Sequence, residues 1–160
     1  ILNGYELNTF KEISDEMVFS FALYGRAINS LTDDDVRISK RLFLPSSKLR
    51  GFEAGKIGPK DGNDYIGGNY TTAINAATTI PYIFQTIETM DMLMFLDAAN
   101  VWGVDYSETI DESDKIRSSF GFAIDWFTVI GPVNFSLSQP ISKADTDKTE
   151  SFRFQIGTTF

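Results

Sequence analysis

The 160-residue sequence contains no cysteine and no histidine. Without cysteine there is no disulfide framework and no thiolate metal site. Without histidine the commonest general base and metal ligand is missing. Ser46 and Ser47 therefore have no imidazole to activate them, and no Gly-x-Ser-x-Gly elbow is present. Paired acids such as Asp97 and Asp125 suit acid–base work, but nothing in the sequence brings them together across a cleft. An enzyme is a poor reading. Positive charge is also scarce: 14 Lys and Arg against 22 Asp and Glu leave a net charge of −8. That balance argues against a nucleic-acid partner. No run approaches the ~18 consecutive apolar residues of a transmembrane helix. This leaves a membrane β-barrel open, because only alternate residues of a barrel strand face lipid and mean hydropathy stays low.

What the chain does have is phenylalanine, 14 residues of it, concentrated in alternating runs. Strands dominate, each bounded by turn residues. Residues 4–10 read as the end of a strand and 11–16 as a polar turn. From Met17 to Ala27, Phe19, Phe21 and Leu23 share one face, and Ser20, Ala22, Tyr24 and Arg26 the other. Residues 67–80 alternate again until Pro81 ends the ladder. Met90, Met92, Met94 and Leu96 alternate with Asp91, Leu93, Phe95 and Asp97. That stretch alone suits a buried helix too, and its neighbours tip it toward strand. Phe120, Phe122, Ile124 and Trp126 oppose Arg117, Ser119, Gly121, Ala123 and Asp125; a short turn follows at 130–132. Val133, Phe135 and Leu137 then alternate with polar residues, and residues 143–150 form a hairpin loop. The last strand runs to Phe160, with Phe152, Phe154 and Ile156 against Arg153, Gln155 and Gly157. Six full strands and one partial strand make a single β unit, with no fixed-period repeat and no linker.

Residues 36–66 carry no sustained period and are rich in Gly, Lys, Ser and Pro. A structureless stretch of about 30 residues is uncommon in a compact domain and usually functional or disordered. Upstream of it, Asp33-Asp34-Asp35 has the charge to bind a cation but reads better as a solvated surface run.

Alternation alone does not separate a soluble β-sandwich from a membrane barrel, since both pair an apolar with a polar face. Three details favour the membrane. The polar faces are rich in Gly, Ala and Ser and poor in Lys and Glu. Aromatics recur near strand ends, at Trp102, Tyr106, Trp126, Phe127 and Phe160, as interfacial girdles require. Short turns at one end alternate with longer loops at the other. The fold expected is all-β: an antiparallel transmembrane β-barrel, or part of one, with a long loop folded into its lumen.

Several short elements then occur in one order: Leu49-Arg50-Gly51-Phe52, Ile57-Gly58-Pro59, Gly67-Gly68-Asn69, Phe95-Leu96-Asp97 with Val101-Trp102, Gly131-Pro132, Gln139-Pro140 and the terminal strand ending in an aromatic. Together they resemble the Omp85 family of outer-membrane proteins, and most of all its bacterial assembly-factor branch. Leu49 stands for the family's valine before Arg-Gly-Phe. Ala99 stands where a glycine is usual, and Ala77 where related proteins can place a carboxylate. The resemblance implies the C-terminal six to seven strands of a barrel of about sixteen, since about eight strands is the minimum for closure. Residues 36–66 would be the lumenal loop. Upstream periplasmic POTRA domains are absent from these residues. The chain opens at Ile1 with no charged-then-apolar signal segment, so a piece of a longer precursor is expected.

The resemblance also implies the partners: nascent outer-membrane β-barrel proteins, periplasmic accessory lipoproteins and the lipids of a Gram-negative outer membrane, with no cofactor, metal or nucleic acid. A secretion pore of the same family would share the Arg50 loop, and a soluble β-sandwich binding module is the reading from another class.

A loop inside a barrel has to be held, or its ordering costs entropy without return. Arginine presents a planar fork suited to a carboxylate. Asp97 lies on the lumen face by parity and is the first partner expected for Arg50; Asp91, six residues earlier on the same face, is the second. The family implies an Arg–Asp contact of this kind, whereas from spacing alone a surface arginine is the better reading. Gly51 is expected to supply a positive φ or a close approach, and Phe52 a plug into the wall. Gly67 and Gly68 are either the exit into the next strand or a plain flexible loop end. In the last strand, Phe152, Phe154, Ile156, Gly157 and Phe160 would form the seam where a barrel closes and where a client strand can add. Gly157 either weakens that seam or relieves crowding in the lumen.

Overall fold

The structure is a computed structural model and describes residues 1–31, 34–81, 83, 87 and 89–157. Phe160 of the expected seam and Asp33 of the acidic run lie outside the described residues.

Seven strands form one antiparallel sheet in simple meander order: β1 (Leu2–Ser14), β2 (Met17–Ile28), β5 (Tyr70–Thr79), β6 (Met90–Trp102), β7 (Arg117–Thr128), β8 (Gly131–Ser142) and β9 (Phe152–Ile156). A small separate ribbon, β3 (Lys60–Asp61) with β4 (Asp64–Tyr65), lies within the long connection between β2 and β5. The sheet is open among the described residues, with β1 and β9 at its edges.

Which face is buried decides between the readings of the alternation. Asp97, Arg117 and Ser119 are wholly buried, while Met94, Leu96, Phe120, Phe122, Leu137, Phe152 and Phe154 are exposed. A soluble sandwich would reverse this, because apolar burial is what drives its folding. Apolar side chains outward and polar ones inward is the arrangement of a lipid-embedded barrel wall.

Several boundaries differ from those expected. β1 is a complete strand of 13 residues, paired with β2 from Leu2↔Ile28 to Ser14↔Met17, so the turn is only Asp15-Glu16. A mixture of charged and apolar residues concealed it: Lys11 and Glu12 continue the ladder across from Phe19 and Val18. The β7–β8 turn is Val129-Ile130, and Pro132 is already in β8, opposite Phe127. Pro140 sits where the β7–β8 register shifts between Ser118 and Ser119, a place where a missing N–H is tolerated. Gly67-Gly68-Asn69 is loop, and β5 starts at Tyr70.

The long connection therefore spans residues 29–69, wider than 36–66 at both ends. It folds back over the polar face of the sheet. Leu44, Leu49, Phe52 and Ile57 from the loop meet Tyr24, Ala73, Ala99 and Val101 from the wall in one buried cluster. The apolar core thus lies between loop and sheet, on the inner side. Tyr106, expected in an interfacial girdle, instead belongs to the β6–β7 loop, where Arg41 lies 5.2 Å over its ring and its hydroxyl donates to Asp61 at 2.9 Å. That hydrogen bond raises the phenol above its ordinary range.

Candidate functional site: the loop anchor on the inner wall

Three short-range features aim Arg50 at the wall. Leu49 and Phe52 on either side are buried in the cluster between loop and sheet. Gly51 has φ +89°, which lets the chain reverse there at no steric cost. A Cβ on Gly51 would also fall 3.2 Å from the Cβ atoms of Ser119 and Ser138, so the backbone lies directly on β7 and β8.

The guanidinium then meets β6. Arg50 Nε donates to Asp97 Oδ2 at 2.7 Å and Nη2 to Oδ1 at 2.7 Å, a fork closed on both carboxylate oxygens. The Arg50 backbone N–H donates to Oδ2 at 3.1 Å. Asn75 Nδ2 donates to Asp97 Oδ1 and to the Lys48 carbonyl, each at 2.9 Å, so β5 joins the same node. The Ser119 hydroxyl donates to the Arg50 carbonyl from β7. Beneath the fork the Arg50 Cζ lies 3.5 Å from the centre of the Phe95 ring. Asp97 is completely buried and Arg50 nearly so. Charges taken out of water in this way are tolerable only when paired and hydrogen-bonded, as these are.

Of the two acids sharing the inner parity, the fork is closed on Asp97. Asp91 lies at the other end of β6, exposed and opposite Asp125. Ile57 is buried in the cluster, and Pro59 is fully buried with its carbonyl accepting from Ile66 N at 3.1 Å. Gly58, at φ +92°, packs where a Cβ would come within 2.9 Å of Val101 Cβ. Gly67 and Gly68 are no loose loop end: Gly68 exchanges hydrogen bonds with Leu42 at 2.7 and 2.9 Å. Asn69 N donates to the Gly103 carbonyl at 2.9 Å.

At the last strand, Phe152, Phe154 and Ile156 are exposed on the outer face, and the Phe154 ring lies 5.0 Å from that of Phe135. Gly157 has φ +82°, and among the described residues nothing stands within 4 Å of where its Cβ would be. That positive φ is a backbone conformation that favours glycine.

Sequence reasoning passed over Asn75, Phe95, Ser119, Gly121 and Arg153 as members of the site. All five lie on the inward parity, which was the available signal. A second node was also unforeseen. Arg117, fully buried at the start of β7, donates to Asp147 Oδ2 and Oδ1 at 2.9 Å each and to Asn100 Oδ1 at 2.7 Å, and pairs with Glu112. It ties the β6–β7 and β8–β9 loops to the wall. Among the described residues no group of three or more potential ligands is placed to share a metal ion.

The motif order and this anchored inner loop on an inverted sheet agree with one family. The Omp85 superfamily domain matches residues 4–160. The chain belongs to the Omp85 superfamily. Among Omp85 relatives, the outer membrane protein assembly factor BamA of Neisseria meningitidis serogroup B is 29% identical over 139 residues, covering 70% of this chain and 17% of that protein. The sorting and assembly machinery component 50 homolog of Mus musculus is 29% identical over 121 residues, covering 68% of this chain and 24% of that protein. The crystal structure of BamA from Haemophilus ducreyi lacking POTRA domains 1–3 superposes with a TM-score of 0.85 at 25% identity, over 96% of this chain and 34% of that one. This Omp85 chain thus spans between a sixth and a third of these relatives, and its sheet follows part of the BamA barrel wall.

Proposed function

We propose that this chain is the C-terminal part of the barrel of an outer-membrane protein assembly factor, in the outer membrane of a Gram-negative bacterium. Residues 29–69 are its lumenal loop. Its substrates are nascent β-barrel proteins, which it inserts by pairing their strands at the seam formed by β9. It works with periplasmic accessory lipoproteins and in contact with outer-membrane lipids. No covalent chemistry is involved: the protein lowers the barrier to insertion by offering a strand edge whose unpaired N–H and C=O groups need partners in lipid.

The observation that carries this reading is the Arg50–Asp97 fork. It fixes the loop against β5, β6 and β7, so that one wall of the barrel stays rigid while the edge strand remains available. The Ile57-Gly58-Pro59 and Gly67-Gly68-Asn69 elements, both packed into this arrangement, support an assembly factor over a secretion pore.

The test is a charge swap in the full-length protein. Arg50→Asp and Asp97→Arg are each expected to abolish assembly of a client barrel, with partial recovery in the double variant. Wild-type assembly by both single variants would refute the role of the anchor.

A further inference from the structure

Among the described residues the β8–β9 ladder pairs five residues, from Val133↔Ile156 to Leu137↔Phe152, and β7–β8 pairs eleven. Among the described residues β9 has no strand on its other side. An edge strand is held by its ladder on one side only.

A second set of contacts holds it from the inside, through one side chain. Arg153 projects from β9 onto the inner face, opposite Ser136, and is buried. Its Nη1 donates to the Ser46 carbonyl at 2.6 Å, and its Nη2 donates to the Phe52 carbonyl. Ser46 and Phe52 bracket the Leu49-Arg50-Gly51 turn, so a single guanidinium gathers both ends of the arch that carries the Arg50 anchor. Glu150 Oε2 accepts from Arg153 Nε at 3.0 Å and from Nη2 at 2.9 Å, which orients the fork and balances its charge. The same loop is stitched alongside: Glu150 N donates to the Gly51 carbonyl at 3.0 Å, Phe52 bridges Thr149, and Glu53 N donates to the Lys148 carbonyl at 2.9 Å. A buried guanidinium requires all these acceptors, and a retreating loop would leave it unsatisfied.

We infer that Arg153 is a positioning residue that latches the last strand to the lumenal loop, so that β9 is held in the sheet while the loop is seated and loosened when the loop is released. This deepens the proposed function, and rests on it only in treating β9 as the client-pairing strand. The latch itself stands or falls on β9 dynamics.

The experiment is amide hydrogen exchange on the full-length protein in nanodiscs, following segment 152–156 with segments 95–101 and 117–128 as controls. Arg153→Gln is expected to speed exchange in 152–156 at least tenfold and leave both controls unchanged. Arg50→Gln, which unseats the loop, is expected to speed exchange in 152–156 in the parent but not further in Arg153→Gln. If Arg153→Gln fails to fold, Glu150→Gln reads the same effect at smaller size. Unchanged exchange in 152–156, or an equal rise in all three segments, overturns the latch. Client insertion is measured on the same samples. Fast β9 exchange with normal insertion keeps the latch and counts against the seam function. Lost insertion with unchanged exchange does the reverse.

Discussion

The Phe95 ring lies against Gly121, its direct cross-strand partner, and the Arg50 guanidinium caps it from above. A Cβ at position 121 would come within 2.7 Å of the ring and would also run into the Leu137 carbonyl. The anchor therefore has three layers: a glycine that leaves room, an aromatic ring that fills it, and a charged fork resting on the ring's electron-rich face.

Gly121→Ala is expected to destabilise the protein by about 1–3 kcal/mol through overpacking. Phe95→Leu should not restore it, because the Leu137 carbonyl is backbone and remains in the way. Denaturant titration of the full-length protein in detergent checks both variants. Rescue by Phe95→Leu would mean that the ring alone sets the limit.

Breaking the fork from the loop side leaves a buried carboxylate. Arg50→Ala is expected to cost about 3–5 kcal/mol, the usual penalty for stranding one partner of a buried pair. Arg50→Lys should recover little of it, since an ammonium cannot reproduce the planar double contact with Asp97. Equal stability of Arg50→Lys and the parent would show that charge without geometry suffices.

The Arg117 node predicts a local effect. Asp147→Ala removes the acceptor of two Arg117 bonds and of the Ala144 N–H. Loop 143–151 should then become cleavable by added protease, with the β1–β2 hairpin still protected. Resistance of that loop would show that Glu112 and Asn100 hold Arg117 on their own.

The inverted faces predict a contrast between two substitutions. Phe122→Lys, on the outer face, is expected to cost about 2–4 kcal/mol if it lies near the bilayer midplane. Ala77→Gln, on the inner face beside the open space under the loop, should change stability by no more than about 0.5 kcal/mol. Refolding equilibria in lipid vesicles measure both. The opposite ranking would place lipid on the other side of the sheet.

Much of this architecture was legible from residue periods. A period of two over 117–126 or 90–97 separates an apolar from a polar set whatever surrounds it, because successive side chains of a strand point to opposite faces. That parity alone set Asp97, Ser119, Gly121 and Arg153 on one side, and the absence of any period marked the long loop. Three things were beyond its reach. Parity is blind to which face meets lipid; the burial of Asp97 and Arg117 decides it. Parity cannot choose between Asp91 and Asp97 either, since they share a face; the choice follows from where the buried Leu49 and Phe52 and the positive φ of Gly51 bring the Arg50 side chain down. And it gives no sign that Arg153 meets Ser46 and Phe52, about a hundred residues away in sequence. Local sequence sets strands and faces because side-chain direction is a short-range property of the backbone. Charge partners across a folded loop are long-range, and only the tertiary structure selects them.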